Sequence, residues 1–226
     1  MLSVLKLHWI LKLVEVYKML KITKGNVKPV FYEMRKKYDG NFDNMYADDK
    51  DALKEILISE QHRRCAYCMC RIEMNNSTIE HYIPRSVDMT LSLDYRNLFA
   101  VCDKTREKPK NMQTCDAHRG NKALYIDPRQ QNDIDTIYYT HKGYIHSGNE
   151  DYEIDISETL NLNCQMLVDN RGRTMKTLAE RSNRRQNKEW TKEQIKKYLA
   201  KLEASDDDTE YAGYLIYMLK KRLNRA

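Results

Sequence analysis

The chain has 226 residues, enough for one main folded unit with appendages, and its 39 Lys and Arg outnumber 33 Asp and Glu to leave a net charge of +6. With a pI near 8.8 and 32% charged residues it suits partners that carry phosphate, although ordinary lysine-rich solubility fits the same numbers. Six unevenly placed cysteines, no recognisable cleavable signal and no unbroken run of ~20 apolar residues argue against a disulfide scaffold or a membrane span, so a reducing cytoplasm is the expected compartment.

Residues 1–18 place Leu2, Leu5, Trp9, Leu13 and Val16 at helical spacing, interrupted by Lys6, Lys12, Glu15 and Lys18, and are expected to form an optional extension ahead of Met19. The following "KITKGN" predicts a strand and turn. From Asp48, "DDKDALKEILISEQHRR" predicts a helix with an acidic start, Leu53, Ile56 and Leu57 on one side, and a basic end that complements the macrodipole. "RIEM" and "TIEHYI" predict two short extended pieces around the polar "NNS". A long loop runs from Pro84 to Arg96, and "NLFAVC" is apolar enough for a buried strand ending at Cys102. "DKTREKPKNMQT" is a polar excursion, "DAHRGNKAL" opens a short helix, and "TIYYTHKGYIHS" predicts a hairpin turning at Lys142 and Gly143. Beyond "ETLNLN" the chain is expected to be helical almost to its end. The first of these helices carries Arg171, Arg173, Lys176, Arg181, Arg184 and Arg185, a basic stripe suited to a nucleic-acid backbone. Asp206, Asp207 and Asp208 break the pattern before "YAGYLIYMLKKRL", which has enough apolar residues to dock.

Cys65-Ala-Tyr-Cys68 has the C-x2-C spacing at which two thiolates converge on one tetrahedral zinc. A second pair, Cys102 and Cys115, lies at two predicted element boundaries, with twelve residues between. Four thiolates from separate segments predict a closed, structural zinc site. Cys70 and Cys164 have no place in it and are expected to be packing residues. Between the pairs stand Glu80 and His81, adjacent on a segment that ends at Pro84. A carboxylate is a ligand for a hard cation such as Mg2+, and an imidazole is a general base at neutral pH. Out of context, His81 fits a surface or capping position equally well.

The order Cys65-x2-Cys68, Glu80-His81 with Pro84, Asn97-Leu98, Cys102 and Cys115 resembles the HNH nucleases, whose ββα-metal core is stapled by zinc. More narrowly, "EQHRRCAYCMCRI", "IEHYIPRS", "LDYRNLFAVC", "CDAHRGN" and the weaker "LNLN" resemble the PtuB-like nuclease subunits of Septu-type and retron-linked anti-phage defence systems. The resemblance implies an α+β, mainly α-helical chain: a nuclease core over 65–130, an N-terminal segment and helix over 19–64, and a hairpin with a helical region over 131–226. It also implies that Glu80 is a metal ligand, His81 the base that activates water, and Asn97 the residue that holds the histidine segment. A third ligand for a catalytic Mg2+ or Mn2+ is implied at Asp116 by position or at His118 by side-chain chemistry, with Asn121 more distant. Arg119 and Arg85 are implied to neutralise phosphate, Arg85 being equally compatible with a solvated role. The implied partners are nucleic acid, DNA foremost, and a PtuA-like ATPase, since the chain has no G-x-x-x-x-G-K-[ST] loop of its own. In a retron-linked system a reverse transcriptase and its RNA–DNA product would join them. Two departures stand out: the spacing of twelve between Cys102 and Cys115, and Asp116 where histidine or asparagine is usual. An RNA-cleaving toxin of the same fold and a zinc-stapled binding module without catalysis remain as alternatives.

Overall fold

The computed structural model describes residues 20–26, 28–186, 190–204 and 206–224, with backbone alone for 181–186. The helix expected over 1–18 lies outside the described residues. The described chain is α+β, about half helical, with two small two-stranded sheets.

Helix α1 (Pro29–Lys37) begins with proline, whose missing N–H costs nothing in a first turn, and ends in Arg35, Lys36 and Lys37. Phe31 and Met34 form its buried face. No strand forms at "KITKGN"; that stretch is instead laid along Pro128, whose carbonyl accepts from the Ile22 N–H at 2.9 Å. Helix α2 (Ala47–Glu60) has Asp48 and Asp49 in its first turn and buries Leu53, Leu57 and Ile58. Its expected basic end is absent, because His62 and Arg63 turn left-handed at φ 53° and 58° and carry the basic residues off the helix.

That turn delivers the chain to the cysteine knuckle, closed by a backbone bridge between Arg64 and Arg71. "RIEM" contributes only this bridge; Met74–Asn76 is a 3-10 turn, and strand β1 (Ser77–His81) finds its partner farther along the chain. It pairs antiparallel with β2 (Leu98–Cys102), all five residues of which are buried, in a register that sets Ser77 opposite Cys102 and His81 opposite Leu98. Helix α3 (Cys115–Arg119) follows the polar excursion and stops at Gly120, where φ is +60°, a conformation glycine adopts without strain. Helix α4 is Gln131–Ile134. Strands β3 (Ile137–Tyr139) and β4 (Ile145–Ser147) make the predicted hairpin around Gly143. Helix α5 (Glu150–Ile154) passes into a π turn, and then α6 (Gln165–Gln186), α7 (Lys192–Leu202) and α8 (Ala212–Leu223) complete the chain. Helix α8 buries Ala212 to Ile216 and Leu219, with Tyr214 edge-on to Tyr139 of the hairpin at 5.4 Å. One apolar cluster runs through these elements from Ile22 to Leu219. No helix among the described residues is long and apolar enough to cross a membrane.

Candidate metal centres and active site

The β1–β2 hairpin and α3 are joined at their base by four buried cysteines. Sγ of Cys65, Cys68, Cys102 and Cys115 all lie within 4.8 Å of one another. The separations Cys65–Cys115, Cys68–Cys102 and Cys102–Cys115 are 3.8, 3.7 and 3.6 Å. Bonds of about 2.3 Å arranged tetrahedrally put sulfurs ~3.8 Å apart, so the donor set and its spacing fit zinc, and this cluster can hold such an ion. The knuckle is preshaped by its backbone: Cys65 N–H donates to the Cys70 carbonyl at 2.9 Å, and Met69 is left-handed at φ 60°. The Cys102 N–H donates to the Cys65 sulfur at 3.3 Å, a contact that favours the thiolate. Hydrogen bonding from Cys102 and Cys115 holds the Cys68 thiol down to about 6. Cys70 is buried beside the cluster and Cys164 is half-buried away from it.

Strand alternation sends Glu80 and His81 to opposite sides of β1. Glu80 turns toward α3. Its Oε1 accepts from the Tyr67 hydroxyl at 2.9 Å and pairs with the Arg119 guanidinium. Burial, together with the nearby Asp116 carboxylate, pushes Glu80 up to about 8 in spite of Arg119. The Asp116 carboxylate thus acts on the buried Glu80 carboxyl from the start of α3.

His81 is buried, with Phe42 edge-on to its ring at 5.0 Å. Its Nε2 stands 2.9 Å from the Ser92 carbonyl oxygen. A carbonyl only accepts, so Nε2 carries the hydrogen and Nδ1 is left with the lone pair. Burial lowers its pKa, which keeps the ring neutral. The Asp116 charge is felt at both Glu80 and His81, which makes it common to the two sides of the strand. Asn97 uses both ends of its amide: Oδ1 accepts from Ile83 N–H at 2.7 Å, and Nδ2 donates to the carbonyls of Ile83 and Leu91 at 3.0 and 3.2 Å. The loop after His81, including the stretch that leads to Ser92, is thereby clamped.

At the start of α3, Asp116 is paired with Arg106 at 2.5 Å. His118 faces elsewhere, its Nδ1 3.1 Å from the Thr159 carbonyl. The geometry therefore favours Asp116 over His118 as Glu80's companion; Asn121 lies beyond the helix stop at Gly120.

Two of the basic residues expected to face phosphate do not. Arg119 has a fully buried side chain, and its guanidinium is shared among Glu80, Tyr67 and the carbonyls of His81, Tyr82 and Lys122. A planar fork of donors in a site full of inward carbonyls is drawn inside, where it fastens α3 to β1. Arg171, first of the expected stripe on α6, is likewise buried, donating to the carbonyls of Gly143 and Leu162 at 2.8 and 2.9 Å. Arg173 is exposed, and the side chains of Arg184 and Arg185 lie outside the described residues. Arg85 is part-exposed, ion-paired with Asp43 and set over the Phe42 ring.

Sequence reasoning missed Tyr67, Ser92, Phe42 and Arg106. Tyr67 had a signal in its place between Cys65 and Cys68; the Ser92 contact is made by a backbone carbonyl and had none. The chain matches no protein-family model and no curated protein.

Proposed function

We propose that the chain is a metal-dependent HNH endonuclease that hydrolyses phosphodiester bonds of nucleic acid, DNA foremost. The observation that carries this reading is the His81 ring, whose Nε2 is held by the Ser92 carbonyl so that a neutral Nδ1 is presented as a base within the field of Asp116, across β1 from the buried Glu80. His81 takes the proton from the attacking water at Nδ1. Asn97 keeps the following loop, and with it the Ser92 carbonyl, in position. Glu80 and Asp116 would hold the Mg2+ or Mn2+ ion, which when bound supplies polarisation of the scissile phosphate and stabilises the leaving oxygen. Arg119 fixes Glu80 instead of touching substrate. Arg106 and Arg85, both part-exposed in ion pairs, are the guanidiniums left to meet the phosphate.

The wider reading, an effector of anti-phage defence acting with a PtuA-like ATPase and in a retron-linked system also with a reverse transcriptase, rests on the resemblance of the motifs. It is tested by co-purification with a neighbouring ATPase. For the activity itself, plasmid and RNA are incubated with the zinc-loaded protein, alone and with that ATPase, in Mg2+ or Mn2+. Nicked plasmid is expected, and His81→Ala should abolish it with zinc content and the far-UV circular dichroism of the folded chain unchanged. A His81→Ala protein that cuts at the normal rate would refute the assignment. RNA cut while DNA stays intact would favour the toxin, and binding without any cleavage the non-catalytic module.

A further inference from the structure

An open groove of about 700 Å3 lies beside the His81 loop. One wall is the exposed side of α1, where Tyr32, Arg35 and Lys36 line the groove away from the buried Phe31 and Met34. The Phe31 ring packs on Tyr95 at 4.5 Å, which fixes α1 to the turn that leads into Asn97. The other walls are Asn41, Asn44 and Met89, the last belonging to the loop that Asn97 clamps. Asp39 is the one acidic residue in the lining.

Three properties set this groove apart. Among the described residues no ion pair engages Arg35 or Lys36, whereas the adjacent Lys37 is paired with Asp49 at 2.6 Å. Tyr32 leaves 62% of its surface in solvent and Met89 leaves 49%, so apolar faces stand beside the free cations. The groove also shares a wall with the candidate base: Phe42, between Asn41 and Asn44, packs on His81 and donates its N–H to Ser92 Oγ at 3.1 Å. Ser92 is the residue whose carbonyl orients His81.

We infer that this groove binds an unpaired nucleic-acid strand and leads it to His81, with Arg35 and Lys36 on phosphates and Tyr32 stacked on a base. The direction toward His81 rests on the nuclease reading; the binding itself does not. Exposed rings interleaved with cations select unpaired strands, because a duplex hides the base faces that a ring can cover. The amides of Asn41 and Asn44 add groups able to meet base edges.

The test is fluorescence anisotropy with labelled single-stranded DNA, single-stranded RNA and duplex DNA of one sequence. The protein is the zinc-loaded full chain carrying His81→Ala, so that no probe is cut. Single strands should bind more tightly than the duplex, and the DNA and RNA arms identify the preferred backbone. Arg35→Glu with Lys36→Glu should weaken binding at least about tenfold and flatten the log–log salt dependence by roughly 1.4, two contacts at about 0.7 each. Tyr32→Ala should cost about tenfold and Tyr32→Phe almost nothing. Tyr32, Arg35 and Lys36 are all exposed, so zinc content and melting temperature should equal those of the His81→Ala parent. Undiminished binding by the double variant, or duplex bound as tightly as single strands, overturns the groove while leaving metal-dependent cleavage by the His81 protein as a separate result. Groove-dependent binding by a chain that never cuts would instead sink the nuclease reading and leave the groove standing.

Discussion

At the residue scale, the consequences centre on Asn97, Arg119 and Glu80. Replacing Asn97 with alanine strands an N–H and two carbonyls of the His81 loop, so a loss of about 2–3 kcal/mol is expected in urea unfolding, along with loss of any cleavage. Arg119→Met strands the carbonyls of His81, Tyr82 and Lys122 as well as Glu80 and should cost about 3 kcal/mol or more; Arg119→Lys should recover little, since one ammonium cannot serve so many acceptors. Glu80 adds a pH signature. Its folded value, about 8, lies above its ordinary 4.5, so the protonated carboxyl favours the fold. That contribution is complete below 4.5 and is lost as pH rises toward 8, by up to about 1.4 kcal/mol per pH unit. Without added Mg2+ or Mn2+, Glu80→Gln should therefore lose less stability than the native chain between pH 5 and 8 in urea titrations. Binding of Mg2+, which competes with that proton, should tighten over the same interval in calorimetry.

At the element scale, the hairpin β1–β2 and the five-residue helix α3 are too short to hold one another by packing alone. The cysteine cluster joins them, and its loss should be felt in both. Removing zinc with a chelator, or Cys115→Ala, should abolish the cooperative melt of this region in circular dichroism, a metal contribution on the order of 10 kcal/mol. The β3–β4 hairpin depends on a different device. Gly143 sits at φ +94°, and a Cβ there would meet the Val168 carbonyl oxygen at 2.6 Å. Gly143→Ala should cost at least about 2 kcal/mol in urea unfolding, from backbone strain added to that collision. The hairpin was legible because Lys142 and Gly143 sit between runs of tyrosine and isoleucine. The end of α2 was not, since His62 and Arg63 have side chains that a helix accepts, and only the approach to Cys65 turns them left-handed.

At the scale of the whole molecule, the segment before α8 straps the C-terminal helices onto the cysteine knuckle. Asp207 is buried against Arg64 at 3.1 Å, Asp208 meets Arg71 near the surface at 2.9 Å, and the Tyr211 N–H donates to the Met69 carbonyl at 2.8 Å. In the sequence these aspartates look like a solvated break. The two ion pairs differ in their surroundings and should differ in effect: Asp207→Ala, which leaves Arg64 buried and unpaired, should cost about 3–5 kcal/mol, and Asp208→Ala under about 1 kcal/mol. Paired urea titrations of the two variants check this.

What the sequence by itself determined is everything written in short-range pattern: the α+β class, the buried run Leu98–Cys102, the hairpin, and four cysteines at element boundaries where a loop can gather them. Periodicity and ligand spacing are local, and the chain shows them without folding. Only the tertiary structure decided where the charged side chains go. Arg119 and Arg171 carry the same guanidinium as Arg85, yet inward carbonyls draw the first two inside and leave the third part-exposed. Asp116 stands beside Glu80 and His118 does not, because the pitch of α3 and the position of the Thr159 carbonyl set that choice. The tautomer of His81 follows from a backbone oxygen eleven residues away, to which no side-chain pattern points.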